Sequence, residues 1–190
     1  TGPGQTPFTI DAHLLSNYNG FGVSCHGVCN GQVEVTVTGG VGPFTYTWVG
    51  GPSTATWNNA CPGNQIVIVT DQGQAVSCAT TVQVTDPAHL SVIFSGNTPP
   101  NCASVCNGTS NAFAVGGVPS YSYSWNSGAG TGSSFNALCP GSNTLHVTDA
   151  NLCAFDTTFI FPVTPGVPNL TTVDAHCWGV CDGSASVAPS

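Results

Sequence analysis

Ten cysteines, five histidines and eight carboxylates are the groups in this 190-residue chain with chemistry to offer. Their spacing invites four readings. Cys25 and Cys29, Cys102 and Cys106, and Cys177 and Cys181 form Cys-x-x-x-Cys pairs, and His26 and His176 adjoin two of them, a donor set that suits zinc. The residue after the first cysteine is His26, Ala103 and Trp178 in turn, however, so the third donor changes from pair to pair and zinc is not expected. Calcium at Asp71 and Asp149, with Asp86 near the joint, is the one cofactor candidate. Against it, eight carboxylates in the whole chain are a thin supply for a cage of six to eight oxygens. Asp before Gln-Gly or Ala-Asn also suits an Asx turn. Asp174 and Asp182 flank a cysteine loop, yet glycoside hydrolysis needs two acids facing a cleft, and nothing in the sequence indicates one. Ser, His and Asp are all present without a recognisable nucleophile–base arrangement. The expectation is a chain with no catalytic residues and no metal, whose cysteines are structural.

Composition narrows the functions further. There is no Lys and no Arg, the net charge is −8, and charged residues make up 4% of the chain, against about 25% in ordinary soluble domains. Without cations the chain cannot neutralise phosphates, which excludes ordinary nucleic-acid binding. Attraction to an anionic membrane face fails for the same reason. An Arg clamp or a catalytic Lys is likewise absent. With no Lys or Arg the eight carboxylates are expected to form no salt bridges, so ion pairs should add nothing to stability or specificity. No stretch approaches the length of a membrane-spanning helix. Gly and Pro are abundant (24 and 14), but 41% of residues are hydrophobic and valines alternate regularly, which argues for ordered strands and tight turns rather than disorder.

The elements that must position the cysteines come in a repeat. Cys25-His26-Gly27-Val28-Cys29-Asn30-Gly31 returns as Cys102-Ala103-Ser104-Val105-Cys106-Asn107-Gly108 and as Cys177-Trp178-Gly179-Val180-Cys181-Asp182-Gly183. Gly39-Gly40-Val41 and Phe44 to Trp48 match Gly116-Gly117-Val118 and Tyr121 to Trp125. Cys61-Pro62-Gly63 matches Cys139-Pro140-Gly141, and Val69-Thr70-Asp71 matches Val147-Thr148-Asp149. Cys78 aligns with Cys153 across a loop three residues shorter, and the offset stays at 75–78 throughout. The sequence begins and stops inside repeats and reads as a window on a longer polypeptide. Its division is 1–86 for the first repeat, with an irregular N-terminal segment, 87–163 for the second, and 164–190 for the opening of a third.

Within a repeat the period is two, as half-buried strands require. Val33, Val35 and Val37 share one face of a strand; Phe44, Tyr46 and Trp48 alternate with threonines. These aromatics, with Trp57 and its counterpart Phe135, read as core rather than as a sugar-stacking stripe. Gly39-Gly40, Gly50-Gly51, Pro62-Gly63 and Asp71-Gln72-Gly73 mark turns. Six or seven short strands in about 75 residues predict an all-β chain of tandem immunoglobulin-like β-sandwiches stapled by disulfides. In that topology the first cysteine of a repeat lies on strand A beside the last, at the start of strand G, and the middle two lie in loops at one end. The pairing expected is Cys25–Cys78 with Cys29–Cys61, and Cys102–Cys153 with Cys106–Cys139; the rival pairs Cys25 locally with Cys29. Cys177 and Cys181 have no partners in this window. Comparing repeats, Ile66 and Ile68 stand where the second repeat has Thr144 and His146, and so should face outward. They are either a local packing accident or a lateral contact with a neighbouring domain or chain. Trp178, unique within its cysteine loop, is a candidate exposed ligand contact.

The ordered set Cys-x-x-x-Cys-[Asn/Asp]-Gly, Gly-Gly-Val with an aromatic-x-Tyr-x-Trp strand, Cys-Pro-Gly and Val-Thr-Asp resembles the SprB-type repeat. That family is found in large cell-surface, gliding-motility adhesins of Bacteroidota. The resemblance covers residues 24–163 fully and 164–190 in part. It implies an immunoglobulin-like module, repeated many times, exported by type IX secretion and displayed on the extracellular cell surface, in gliding species as filaments that grip the substratum. The family often has Tyr where this chain has Gln65 and Asn143. Asp156-Thr157-Thr158 resembles the short O-glycosylation sequon of that phylum, which makes Thr157 a candidate site.

The function expected is therefore a structural or adhesive repeat segment of a large secreted surface protein or filament. Its short, proline-bearing joints favour a stiff rod. The alternative is an array of carbohydrate-binding modules acting through exposed loops. Neighbouring repeats are the expected partners, with identical chains in a filament and surface polysaccharide or substratum as further candidates, and with no nucleic acid and no membrane insertion.

Overall fold

The computed structural model describes residues 4–101, 105–162, 169–173 and 184–188. Every element among them is a β-strand. They form two compact units that interleave along the chain: residues 1–91 with 114–121 and 148–155 in the first, and 92–113, 122–147 and 156–190 in the second.

The first unit contains β1 (Phe8–Leu14), β2 (Gly31–Gly39), β3 (Phe44–Trp48), β4 (Thr56–Ala60), β5 (Gly63–Asp71) and β6 (Val76–Val84). Two antiparallel sheets, β1-β2-β4 and β3-β5-β6, hold these strands. The partners are those of strands A-B-E and C-F-G of an immunoglobulin-like sandwich without strand D. Alternation decides which side of each strand is wet. Val67 and Val69 on β5 are fully buried, whereas Ile66 and Ile68 between them are 41% and 38% exposed. The core gathers Val33 and Val35 from β2, Trp48 from β3, and Val82 and Val84 from β6. Trp48 is buried whole, and its indole N–H finds the Thr54 carbonyl at 2.9 Å, as a buried donor must. The β2–β3 turn requires glycine: Gly39 has φ 84°, and a Cβ there would lie 2.5 Å from the Pro7 carbonyl oxygen.

The second unit repeats the plan with the greater part of β7 (Ser91–Thr98), β8 (Gly108–Val115), β12 (Gly141–Thr148) and β13 (Ala154–Phe161) and with β9 (Ser122–Trp125), β10 (Gly130–Thr131) and β11 (Ser134–Leu138). The sheets are β11-β8-β7 and β10-β9-β12-β13. Trp125 takes the place of Trp48, fully buried, with its N–H on the Gly132 carbonyl at 2.9 Å. Ala112, Leu138, Leu145 and Val147 are buried with it. Farther on, β14 (Asn169–Val173) and β15 (Ser184–Ala188) form an antiparallel hairpin.

Two expectations are corrected by the fold. The N-terminal segment read as irregular contains β1, whose residues Phe8, Ile10, Ala12 and Leu14 pack on the core. The alternation of Phe-Thr-Ile-Asp-Ala-His-Leu carries that signal. Close histidine–carboxylate contacts also exist where no pairing of the carboxylates was expected. His13 lies 3.4 Å from Glu34, His26 lies 3.0 Å from Asp86, and His146 lies 2.6 Å from Asp156. All three involve solvent-exposed groups, where such pairs contribute little.

Candidate functional site

The chemistry of the described residues is concentrated in three disulfides and two capped aspartates. Cys29 lies in the loop between β1 and β2, and Cys61 in the turn between β4 and β5. The two meet at one end of the sandwich with Cα atoms 3.9 Å apart and are bonded. Cys106 and Cys139 are bonded in the same way, with Cα atoms 4.0 Å apart. The positions where the family often has Tyr serve these turns. Gln65 Nε2 donates to the Cys61 carbonyl at 2.8 Å, and the buried Asn143 Nδ2 donates to the Cys139 carbonyl at 2.8 Å.

The outer cysteines depart from the expected pairing. Cys25 is bonded to Cys153, 128 residues away, with Cα atoms 5.6 Å apart. Cys78 is free and half-buried. The reason is geometric. Cys25 is not on strand A but in the loop after β1, where His26 Nδ1 lies 3.0 Å from the Pro87 carbonyl and Gly27 N–H reaches Asp86. Cys78 pairs with Val69 near the opposite end of β6, eight residues upstream of Asp86. At ~3.4 Å per residue that is about 27 Å, far beyond the ~7 Å a disulfide can bridge.

Strand register removes the equivalence of Cys78 and Cys153 as well. Asp71 is the partner of Val76 across the β5–β6 hairpin, whereas Asp149 N–H bonds to the Cys153 carbonyl. His146 likewise touches Asp156 where Ile68 is paired with Ala79. Cys153 therefore occupies the place of Val76, and Cys78 sits two residues deeper in its strand. Cys102, the other expected partner of Cys153, lies outside the described residues, as do Cys177, Cys181, Trp178, Asp174 and Asp182.

The loop that delivers Cys153 is prepared by Asp149, which is 3% exposed. Its carboxylate accepts the N–H groups of Val118, Asn151 and Cys153 at 2.8, 2.8 and 2.9 Å. Asn151 then donates to the carbonyls of Ser24 and Tyr18 at 2.9 and 3.3 Å, beside the disulfide. Asp71, fully buried, is capped likewise by the N–H groups of Val41, Gly42 and Gly73 and by Gln74 Nε2. Burial alone would push the Asp71 carboxyl up, but the hydrogen bonds from Val41, Gln74, Gly73 and Gly42 outweigh it and hold the group below the ordinary carboxylate value. These oxygens are taken by N–H donors from their own loops and from a second loop 29 to 31 residues earlier in the chain. No cluster of three or more His, Cys, Asp or Glu suited to a metal occurs among the described residues.

Thr157 lies half-buried in the middle of β13, whose alternation leaves its neighbours Asp156 and Thr158 exposed. Ile66 and Ile68 point to solvent, as the comparison of repeats requires.

Comparison with known proteins agrees with the motif reading. The model of the SprB repeat matches residues 23–53, which run from the Cys25–Cys29 loop through β2 and β3. No curated protein matches the chain. Among solved structures, a C-terminal fragment of intimin in complex with the translocated intimin receptor intimin-binding domain is 16% identical over 82% of this chain, with a TM-score of 0.38. The chain spans 64% of that fragment. Domains 4 and 5 of the S-layer protein SbsC are 12% identical over 81% of this chain and 98% of theirs, with a TM-score of 0.30. The fold stands on the strand pairing described above rather than on these distant likenesses. The SprB repeat match suggests a cell-surface structural repeat.

Proposed function

We propose that this chain is a load-bearing segment of a large cell-surface protein, acting as a structural or adhesive spacer. The observation that carries this reading is the Cys25–Cys153 bond, which encloses both shorter disulfide loops. Tension applied before Cys25 and after Cys153 passes through sulfur, so the 128 residues of separation cannot be drawn out even if their strands unfold. In the chain-entropy model a loop of that length also stabilises the fold by about 5 kcal/mol, and each shorter loop by about 3–4 kcal/mol. Such stapling suits a small-core module outside the cell, where thiols stay oxidised. The absence of Lys and Arg leaves no site for trypsin-like proteases.

Single-molecule pulling of the full chain between its ends tests this reading. Reduction should lengthen the fully unfolded molecule by about 450 Å, the extended length of the enclosed stretch at ~3.5 Å per residue. An unfolded length that is the same with and without reductant would overturn it.

A further inference from the structure

The first sheet of each unit carries a polar cleft beside an irregularity in its strand pairing, and we infer that the cleft of the first unit is a binding site for a neutral saccharide. The strand pair β2–β4 is interrupted by a bulge beside Gly31 and Gln32. The bulge turns two successive residues of β4 outward, Asn58 and Asn59, the latter at φ 70°. Re-aiming side chains in this way is what bulges do next to sites. The cleft that opens has a volume of about 380 Å³ and is lined by Asn17, Tyr18, Asn30, Gln32, Asn58 and Asn59 among others, none of them charged. In the second unit the pair β8–β11 is irregular between Phe135 and Leu138, and a cleft of about 320 Å³ lies there, lined by Asn111, Ser134, Phe135 and Asn136.

The first cleft is pre-ordered. Tyr18 Oη donates to the Asn30 carbonyl at 3.3 Å, and the Asn30 amide is held from both ends by Ser24 at 3.0 and 2.8 Å. Gln32 Nε2 donates to Asn58 Oδ1 at 2.7 Å. That bond uses one end of each amide and leaves Gln32 Oε1 and Asn58 Nδ2 with no partner among the described residues. Asn17, whose Oδ1 accepts Gly20 N–H at 2.7 Å, likewise keeps its Nδ2. Fixed amide donors and acceptors beside a phenol ring, without any charge, match the alternating donors and acceptors of hydroxyls on a sugar ring. They bring no opposite charge to a phosphate, a carboxylate or a cation. Because the groups are already held in place, ordering them costs little on binding.

The test is an NMR titration of the full, disulfide-bonded chain with cellohexaose and mannohexaose, and with an oligogalacturonate of similar length as the acidic counterpart. A neutral hexasaccharide should shift the side-chain amides of Gln32 and Asn58. Asn58→Ala should weaken that binding about tenfold, the effect of losing one hydrogen bond. Gln32→Ala should do the same, and well-dispersed spectra of both variants will show that they fold. The inference is overturned if neither neutral hexasaccharide moves these amides, if the acidic oligomer binds as well, or if both variants bind like the parent. None of these outcomes bears on the disulfide map or on the load-bearing reading.

Discussion

At the scale of single residues, Asp71 shows how a chain almost free of charge uses the few charges it has. Its carboxylate replaces missing backbone partners in two loops at once, those of Val41–Gly42 and Gly73–Gln74. Its folded pKa is lowered, so the stability it contributes is fully present above the unfolded value, near 3.9, and is lost as pH falls through the folded pKa. Thermal melts from neutral pH down through that window should show the parent losing stability. Asp71→Asn should melt lower at neutral pH and lose less on acidification. Equal pH dependence in the two proteins would contradict the capping role. Half of this was open to sequence reading: Asp before Gln-Gly marks an Asx turn, whereas the second loop it ties, at Val41, lies 30 residues away in the chain and gives no local signal.

At the scale of elements, the strands were legible and the cysteine pairing only in part, for one physical reason. Burial alternates with period two, so Val67, Val69 and the outward Ile66 and Ile68 can be read from β5 alone. A bond between loops at one end of a single sandwich, such as Cys29–Cys61, follows from strand order. A bond from the first repeat to the hairpin of the second does not, since alternation is silent about which loops of different repeats meet. The sequence alignment of Cys78 with Cys153 also hides a two-residue difference in strand register, which keeps the side chain on its face but moves it along the strand. The exposed Ile66 and Ile68 are either a local packing accident or a lateral contact with a neighbouring domain or chain, and a double substitution decides between the two. Replacing both with their second-repeat counterparts, Ile66→Thr and Ile68→His, should change stability by less than about 1 kcal/mol, because neither is buried. It should also lower any self-association seen by sedimentation velocity. Unchanged association would remove this face from consideration.

At the scale of the whole molecule, covalent closure sets the behaviour under load. Two small sandwiches, each with one fully buried tryptophan among small aliphatic residues, have limited burial to draw on. Three disulfides among the described residues compensate, and the longest of them takes most of both repeats out of the load path. Disulfide mapping by mass spectrometry tests this most directly, on non-reduced protein cut with chymotrypsin and an Asp-specific protease, since trypsin has no sites. The expected spectrum contains the peptide that carries Cys25 and Cys29 joined to both the Cys61 and the Cys153 peptides, with Cys78 free to react with a thiol reagent. A Cys25 peptide joined to Cys78 would contradict the closure and return the molecule to independently stapled repeats.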